Sequence, residues 1–350
     1  MEQLKEIVIP LLEWFQLNKR DLPWRKTKEP YHIWLSEIML QQTRVEAVKP
    51  YYERFLQTLP TIRSLAEADE ETILKLWEGL GYYSRVRNMQ KAANQIITEH
   101  QGIFPSDHAS ILKLKGIGPY TAGAIGSIAF GLPVAAVDGN VLRVMSRITA
   151  DASDISLAST KKAWEEKITE IMPPHGSGDF NQALMELGAT VCLPNGMPRC
   201  DICPVRKFCQ AYRSNTIQIY PVKAEKKART QVSLNVFFCV YKDRIAIRKR
   251  QEKGVLFGLW ELPNVERDCA IPMVLQEIGI SQAEITPMKA QKHIFTHIEW
   301  QMDCYYIKVK EKPEGELLWV TEEEMESAYA LPSAFRKIWI EGIETKKNAE

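Results

Sequence analysis

No stretch of this chain is apolar for long enough to cross a membrane. The most apolar run, Gly123–Val137, is interrupted by glycine and proline and is shorter than a spanning helix. The first twenty residues are not expected to act as a signal peptide: they carry Glu2, Glu6 and Glu13, with no unbroken apolar core between them. The expectation is a cytoplasmic protein. There is no low-complexity tract, and at 45% hydrophobic and 25% charged residues the composition is that of a globular protein with a buried core. A strong charge of one sign is absent as well. The formal net charge is +1, so the total argues neither for nor against a polyanionic partner.

The distribution is more telling than the total. Lys and Arg against Asp and Glu leave residues 1–229 at +4 and residues 230–350 at −3. The excess concentrates in 199–229, where Arg199, Arg206, Lys207, Arg213, Lys223, Lys226, Lys227 and Arg229 face only Asp201 and Glu225. Such a run can neutralise phosphates or be a solvated linker. At 350 residues the chain is long enough for two or three domains.

Apolar spacing predicts helices over Glu2–Phe15, Tyr31–Gln42, Val45–Leu56, Glu70–Trp77, Tyr82–Glu99, Pro119–Phe130, Val141–Ala150, Lys161–Met172 and Asn181–Val191. Glycine and proline breakers separate them, as at Gly79–Gly81, Gly131–Pro133 and Pro173–Gly178. From Thr230 the pattern changes: Val232–Val240, Arg244–Lys249 and Gln301–Val309 read as strands, Ala270–Ile278 and Glu322–Ala328 as helices. The expected organisation is an all-α core over 1–191 and a four-cysteine loop over 192–213. A linker over 214–229 leads to an α+β domain over 230–350.

Residues 112–143 carry the first chemical signal. Gly116 and Gly118 sit between a helical stretch ending at Leu114 and a helix opening at Pro119. Glycine supplies the positive φ of a tight hairpin, and proline suits a first helical position. The amides of such a hairpin form a cradle for a phosphate. Asp138, in Val137-Asp138-Gly139-Asn140, then stands at the mouth of the next helix, as a cap or as a reactive carboxylate. Glu37 is flanked at helical spacing by Ile33, Trp34 and Leu40. Burial on such a face raises a carboxyl towards the range of a useful acid at neutral pH. Cys192, Cys200, Cys203 and Cys209 lie within eighteen residues, punctuated by Pro194, Pro198 and Pro204. Four thiolates so placed fit structural zinc or a 4Fe–4S cluster better than disulfides.

The strings LKGIGPYTAGA, VDGN and SEIMLQQT (Ser36–Thr43) resemble the signature of the endonuclease III superfamily of helix-hairpin-helix DNA glycosylases, and within it the MutY-type adenine DNA glycosylases. The resemblance covers nearly the whole chain. It implies an all-α helix-hairpin-helix core (hairpin 112–131) with an iron–sulfur loop, then a C-terminal Nudix-like α+β domain. It also implies a monofunctional hydrolase that removes adenine opposite 8-oxoguanine or guanine in duplex DNA, in base-excision repair. Glu37 would protonate the purine leaving group. Asp138, supported by Asn140 and Tyr120, would stabilise or attack the sugar carbon. Tyr120 stands where strand-cleaving relatives carry a Schiff-base lysine. Trp24, Arg25 and Gln182 match adenine-pocket positions. Gln42, Thr43, Leu80 and Tyr82 match the DNA surface, where an extruded base leaves a gap to fill. Gly116 and Gly118 would hold backbone phosphate, and Phe295-Thr296-His297 the opposite base, with Thr296 where the family often has serine. The superfamily spaces its cluster cysteines C-x6-C-x2-C-x5-C. The first gap here is one residue longer, so a 4Fe–4S cluster is expected with zinc as the alternative.

The VLQEIGI segment holds a single carboxylate, Glu277, where a working Nudix hydrolase needs several for Mg²⁺. The competing functions are an endonuclease III-like pyrimidine glycosylase/lyase, which Tyr120 and the C-terminal domain oppose, and a non-catalytic DNA-binding protein, which Glu37 together with Asp138 opposes. The expected partner is mispaired duplex DNA, bound by a monomer that is nucleoid-associated when engaged.

Overall fold

A computed structural model describes residues 2–225, 228–311 and 313–349; Lys226 and Lys227 of the basic run lie outside the described residues. Before the first strand the chain passes through α1 (Glu2–Lys5), α2 (Val8–Asn18), α3 (Pro30–Leu40), α4 (Val45–Thr58), α5 (Ile62–Glu67), α6 (Glu70–Leu76) and α7 (Ser84–Glu99). There follow α8 (His108–Lys113), α9 (Pro119–Phe130), α10 (Gly139–Thr149), α11 (Ala158–Glu170), α12 (Ser177–Thr190) and α13 (Gln210–Arg213). The expected Glu2–Phe15 helix is split in two. Proline has no N–H, and its ring clashes with the carbonyl four residues back. Restarting at Val8 puts Pro10 in the first turn of α2, where neither matters. Among the described residues no helix is long and apolar enough to cross a membrane.

Contacts divide the chain into two compact units: residues 1–68 with 87–225, and residues 69–86 with the chain from 226 onward. The first unit is helical. Its core joins Leu11 and Phe15 of α2, Val141, Val144 and Met145 of α10, Trp164 and Ile168 of α11, and Phe180, Leu184 and Leu187 of α12. Two details position the site. Buried Asn181 donates to Ser127 Oγ and the Val134 carbonyl and accepts from the Ala136 amide, fixing the extended segment that leads to Asp138. At Gly188 a side chain would meet Asn140 Cβ at 2.6 Å, so only glycine lets α12 approach the start of α10 this closely.

The second unit is built on a mixed sheet of β1 (Thr230–Tyr241), β2 (Arg244–Lys249), β3 (Trp260–Glu261), β4 (Asn264–Glu266), β5 (Ala283–Pro287), β6 (Gln291–Ile294), β7 (Ile298–Val309) and β8 (Leu318–Val320). The order is β3-β2-β1-β7-β5, with β4 on β1, β6 on β7 and β8 on β2. At its centre β1 and β7 run parallel, in register from Thr230 with Ile298 to Val240 with Lys308. Alternate side chains of β1 serve opposite faces. Val236 and Phe238 pack with Phe335, Ile338 and Trp339 of α16 (Ser333–Ala349), whereas Phe237 and Cys239 pack with Val274 and Leu275 of α14 (Ile271–Glu277). Burial on both faces explains the continuous apolar stretch Val236–Val240 within β1. Helix α15 (Glu322–Ser327) precedes α16, for which apolar spacing gives no expectation. Scattered cysteines outside the four-cysteine loop are expected in the core or half-buried; Cys239 and Cys304 are buried, but Cys269 is exposed.

Residues 69–86 belong to this second unit through specific bonds. Lys75 Nζ donates to the carbonyls of Met325 and Tyr329 (3.1 and 3.0 Å), and Glu78 accepts from the Leu331 amide (2.9 Å). The helical pattern across 1–191 gives no sign of this, because periodicity identifies an element and not the surface it packs on.

Candidate active site

Helix α3 ends at Leu40 and buries Glu37 at 7% exposure beside Ile33 and Trp34. The carboxylate is not left alone: Tyr120 Oη donates to its Oε2 at 2.6 Å. Burial raises Glu37 to about 7; the Tyr120 bond opposes that rise, and the Asp138 charge adds to it. A carboxyl at that value donates a proton readily at neutral pH.

Tyr120 stands at the second position of α9, after the hairpin. Gly116 takes φ +79°, and a side chain there would meet Asn88 Cβ at 2.7 Å. Gly118 corrects the expectation that both glycines need positive φ: it is extended, at φ −95°, with open space where a side chain would point. Its smallness leaves the helix N-terminus open to a close approach. Tyr120 bonds Glu37 and, at 3.7 Å, Met185 Sδ, in the cavity that Asp138 also lines and close enough for the Asp138 charge to act on it.

Asp138 caps α10. One oxygen accepts from the Val141 amide (2.8 Å) and the other from Asn140 Nδ2 (2.7 Å). Burial pushes its carboxyl up, while these donors and the Arg143 charge pull it down. Arg143 in turn donates to Asn140 Oδ1, the Gly188 carbonyl and the Cys192 carbonyl. Glu37, Tyr120, Asp138 and Asn140 line one cavity of about 720 Å³, together with Trp24, Arg25, Gln42, Thr43, Gly118 and Gln182.

Arg20 and Glu186 also line this cavity, and neither is expected from the sequence. Arg25 donates to Gln182 Oε1 (3.2 Å) and, with Arg20, to Glu186 (2.8 and 2.7 Å). Burial pushes Glu186 up, but the two guanidinium groups outweigh it and hold the carboxyl at about 2. Its position four residues after Gln182 on α12 was the available signal. Lys161 also lines the cavity.

Residues 35–174 match the family described as HhH-GPD superfamily base excision DNA repair protein, and residues 235–341 match the NUDIX domain. The chain is 36% identical to the "Adenine DNA glycosylase" of Arabidopsis thaliana over 85% of its own length and 56% of the relative's. It is also 36% identical to that of Buchnera aphidicola subsp. Baizongia pistaciae (strain Bp), over 85% of its length and 84% of the relative's. The chain belongs to the adenine DNA glycosylase family. A solved thermostable thymine-DNA glycosylase shares the helical fold at 30% identity and a TM-score of 0.56, covering 61% of this chain and 98% of that one.

Gln42 is exposed at φ 61° just after α3, and half-buried Thr43 bonds back towards α3. In the second unit Leu80 is buried and Tyr82 is 47% exposed at φ 48°. Phe295-Thr296-His297 forms the turn between β6 and β7. The Phe295 amide bonds the Ile298 carbonyl, and the Phe295 ring packs on His293 and Trp300. Thr296 and His297 are exposed, and the Tyr82 and Thr296 hydroxyls are 2.5 Å apart.

Cys192, Cys200, Cys203 and Cys209 line one cavity with Val144, Arg147 and Leu187. Burial and the neighbouring thiols raise Cys203 to about 12. Arg147 donates to Cys192 Sγ at 3.3 Å, and its carbonyl accepts from Cys209 Sγ. Four thiols facing one desolvated space are stable as thiolates only around a bound cation, so this donor set fits a thiolate-ligated metal group. Among the described residues, no three His, Cys, Asp or Glu side chains gather tightly enough to hold a single ion.

Proposed function

We propose that the chain hydrolyses the N-glycosidic bond of adenine paired with 8-oxoguanine or guanine in duplex DNA, with Glu37 as general acid and Asp138 as the carboxylate facing the sugar. The carrying observation is one cavity that holds a carboxyl raised to about 7 and a second carboxylate fixed by two donors. Glu37 delivers its proton to the purine, which leaves neutral. Asp138 stabilises the oxocarbenium-like sugar, with a transient covalent bond at the sugar carbon as the retaining form of the step. Tyr120 shares its proton with Glu37 and orients it. Trp24, Arg25 and Gln182 enclose the base. Gly116 and Gly118 open the hairpin to a phosphate, and Gln42, Thr43, Leu80 and Tyr82 take the DNA around the extruded nucleotide. Thr296, between Phe295 and His297, reads the opposite base.

The four cysteines would hold a 4Fe–4S cluster, which supplies structure to this loop rather than a step of hydrolysis. The same four thiolates could instead hold structural zinc, the alternative for this donor set. Purified protein is expected to be yellow-brown with about four irons per chain; colourless protein with stoichiometric zinc would reverse the assignment.

Asp138→Asn tests the mechanism. It keeps the shape of the cap, so DNA affinity should hold while single-turnover excision falls by about 10²–10³ or more. A rate within tenfold of wild type would remove Asp138 from the chemistry.

A further inference from the structure

Tyr82 combines two features that need external support. It is a tyrosine in the left-handed region, and its hydroxyl meets Thr296 across the second unit. A bulky residue stays at positive φ only when its surroundings over-determine it. Part of that support is internal to the turn. Trp77 Nε1 donates to the Gly81 carbonyl, Arg85 donates to the carbonyls of Leu80 and Gly81, and the Arg85 guanidinium lies over the rings of Trp77 and Tyr82. These bonds fix the shape of the turn but not its place against Phe295–His297.

Its place is set through α6. The two oxygens of Glu71 accept from different donors, Lys249 Nζ at 2.9 Å and Trp260 Nε1 at 2.8 Å. Lys249 and Trp260 are direct cross-strand partners on β2 and β3, so the sheet itself presents ammonium and indole N–H side by side. Trp260 is further held by an edge contact with Tyr329 at 5.0 Å, and Lys75 anchors the other end of α6 on the Met325 and Tyr329 carbonyls. An isolated half-exposed ion pair does little. A carboxylate with both oxygens matched to a rigid strand pair fixes the direction of a helix.

We infer that Lys249 and Trp260 form a socket for Glu71, and that Glu71 is a positioning residue for lesion preference: it sets the register of Tyr82 against Thr296. This rests on the reading of Thr296 as the contact to the opposite base. The test uses the full-length chain and single-turnover excision of adenine opposite 8-oxoguanine and opposite guanine. Glu71→Gln, Lys249→Ala and their double variant are compared with Thr296→Ala. Each latch variant is expected to narrow the 8-oxoguanine/guanine ratio by about threefold or more, with excision opposite guanine within about twofold of wild type. The double variant should narrow it by less than the product of the two single effects, because both singles break the Glu71–Lys249 bond. A ratio unchanged in Glu71→Gln but narrowed in Thr296→Ala overturns the positioning role alone. Equal losses on both duplexes also overturn it, leaving Glu71 a stabilising contact. A ratio unchanged in Thr296→Ala removes the reader itself, and the positioning role falls with it.

Discussion

Glu37 and Glu186 line the same cavity, and both are buried, yet one carboxyl is raised to about 7 and the other is held at about 2. Burial pushes both upward. What separates them is the partner: a neutral phenol for Glu37, two guanidinium groups for Glu186. The wall near α3 therefore keeps an acid that can give up its proton, and the wall on α12 keeps a permanent anion that fixes Arg20 and Arg25. Desolvation alone does not make a catalytic acid; desolvation with a neutral bonding partner, and a cation acting only from a distance, does.

Four experiments press on that contrast, the largest effect first. Glu37→Gln should lower single-turnover excision by about 10²–10⁴ with little loss of DNA binding, since the leaving group is denied its proton; a loss below tenfold would sink its role. Glu186→Gln should act on the fold instead. It leaves the half-buried Arg20 and Arg25 short of their anion, and urea denaturation should show about 1–3 kcal/mol of lost stability, whereas Glu37→Gln should leave the midpoint unchanged or raised. Equal midpoints for the two variants would erase the contrast.

The third experiment is a pH profile. Glu37 must be protonated to act, so excision should fall as pH rises through about 7. Tyr120→Phe removes a bond that favours the ionised form, so Glu37 should rise further and the falling limb should move to higher pH. Stability follows the opposite signs at the two carboxyls. The contribution of Glu186, whose folded value is depressed, is present above the ordinary carboxylate range and is lost as pH falls towards about 2. The Glu37 contribution is present at low pH and is lost as pH rises through about 7. A limb unmoved by Tyr120→Phe would separate the phenol from the acid.

The smallest signal is expected from borohydride trapping. Tyr120 cannot form a Schiff base, and among the described residues lining the cavity only Lys161 carries an amine. No efficient covalent DNA adduct should form. An adduct lost in Lys161→Ala would identify that amine as the nucleophile and end the monofunctional reading.

Much of the site was legible in the chain because its cues are local. Apolar neighbours at helical spacing around Glu37 carry their own desolvation, and Asp138 before Gly139-Asn140 is a cap wherever the helix goes. Four cysteines within eighteen residues need no long-range fold to face one another. The alternating strands and the change of character at Thr230 are local in the same sense. What tertiary structure alone decided are the pairings between distant residues. Tyr120 found Glu37 across 83 positions, and Arg20 and Arg25 found Glu186 across more than 160. Asn181 set the path into Asp138 from a helix that reads as ordinary. Residues 69–86 read as one more helical stretch of the core, yet Glu71, Lys75 and Glu78 bond within the second unit. Periodicity and capping are set by neighbours three or four residues apart, so the sequence determines the helices and the charge of each group. Which ion faces which, and hence which carboxyl keeps its proton, depends on distances that exist only once the chain has packed.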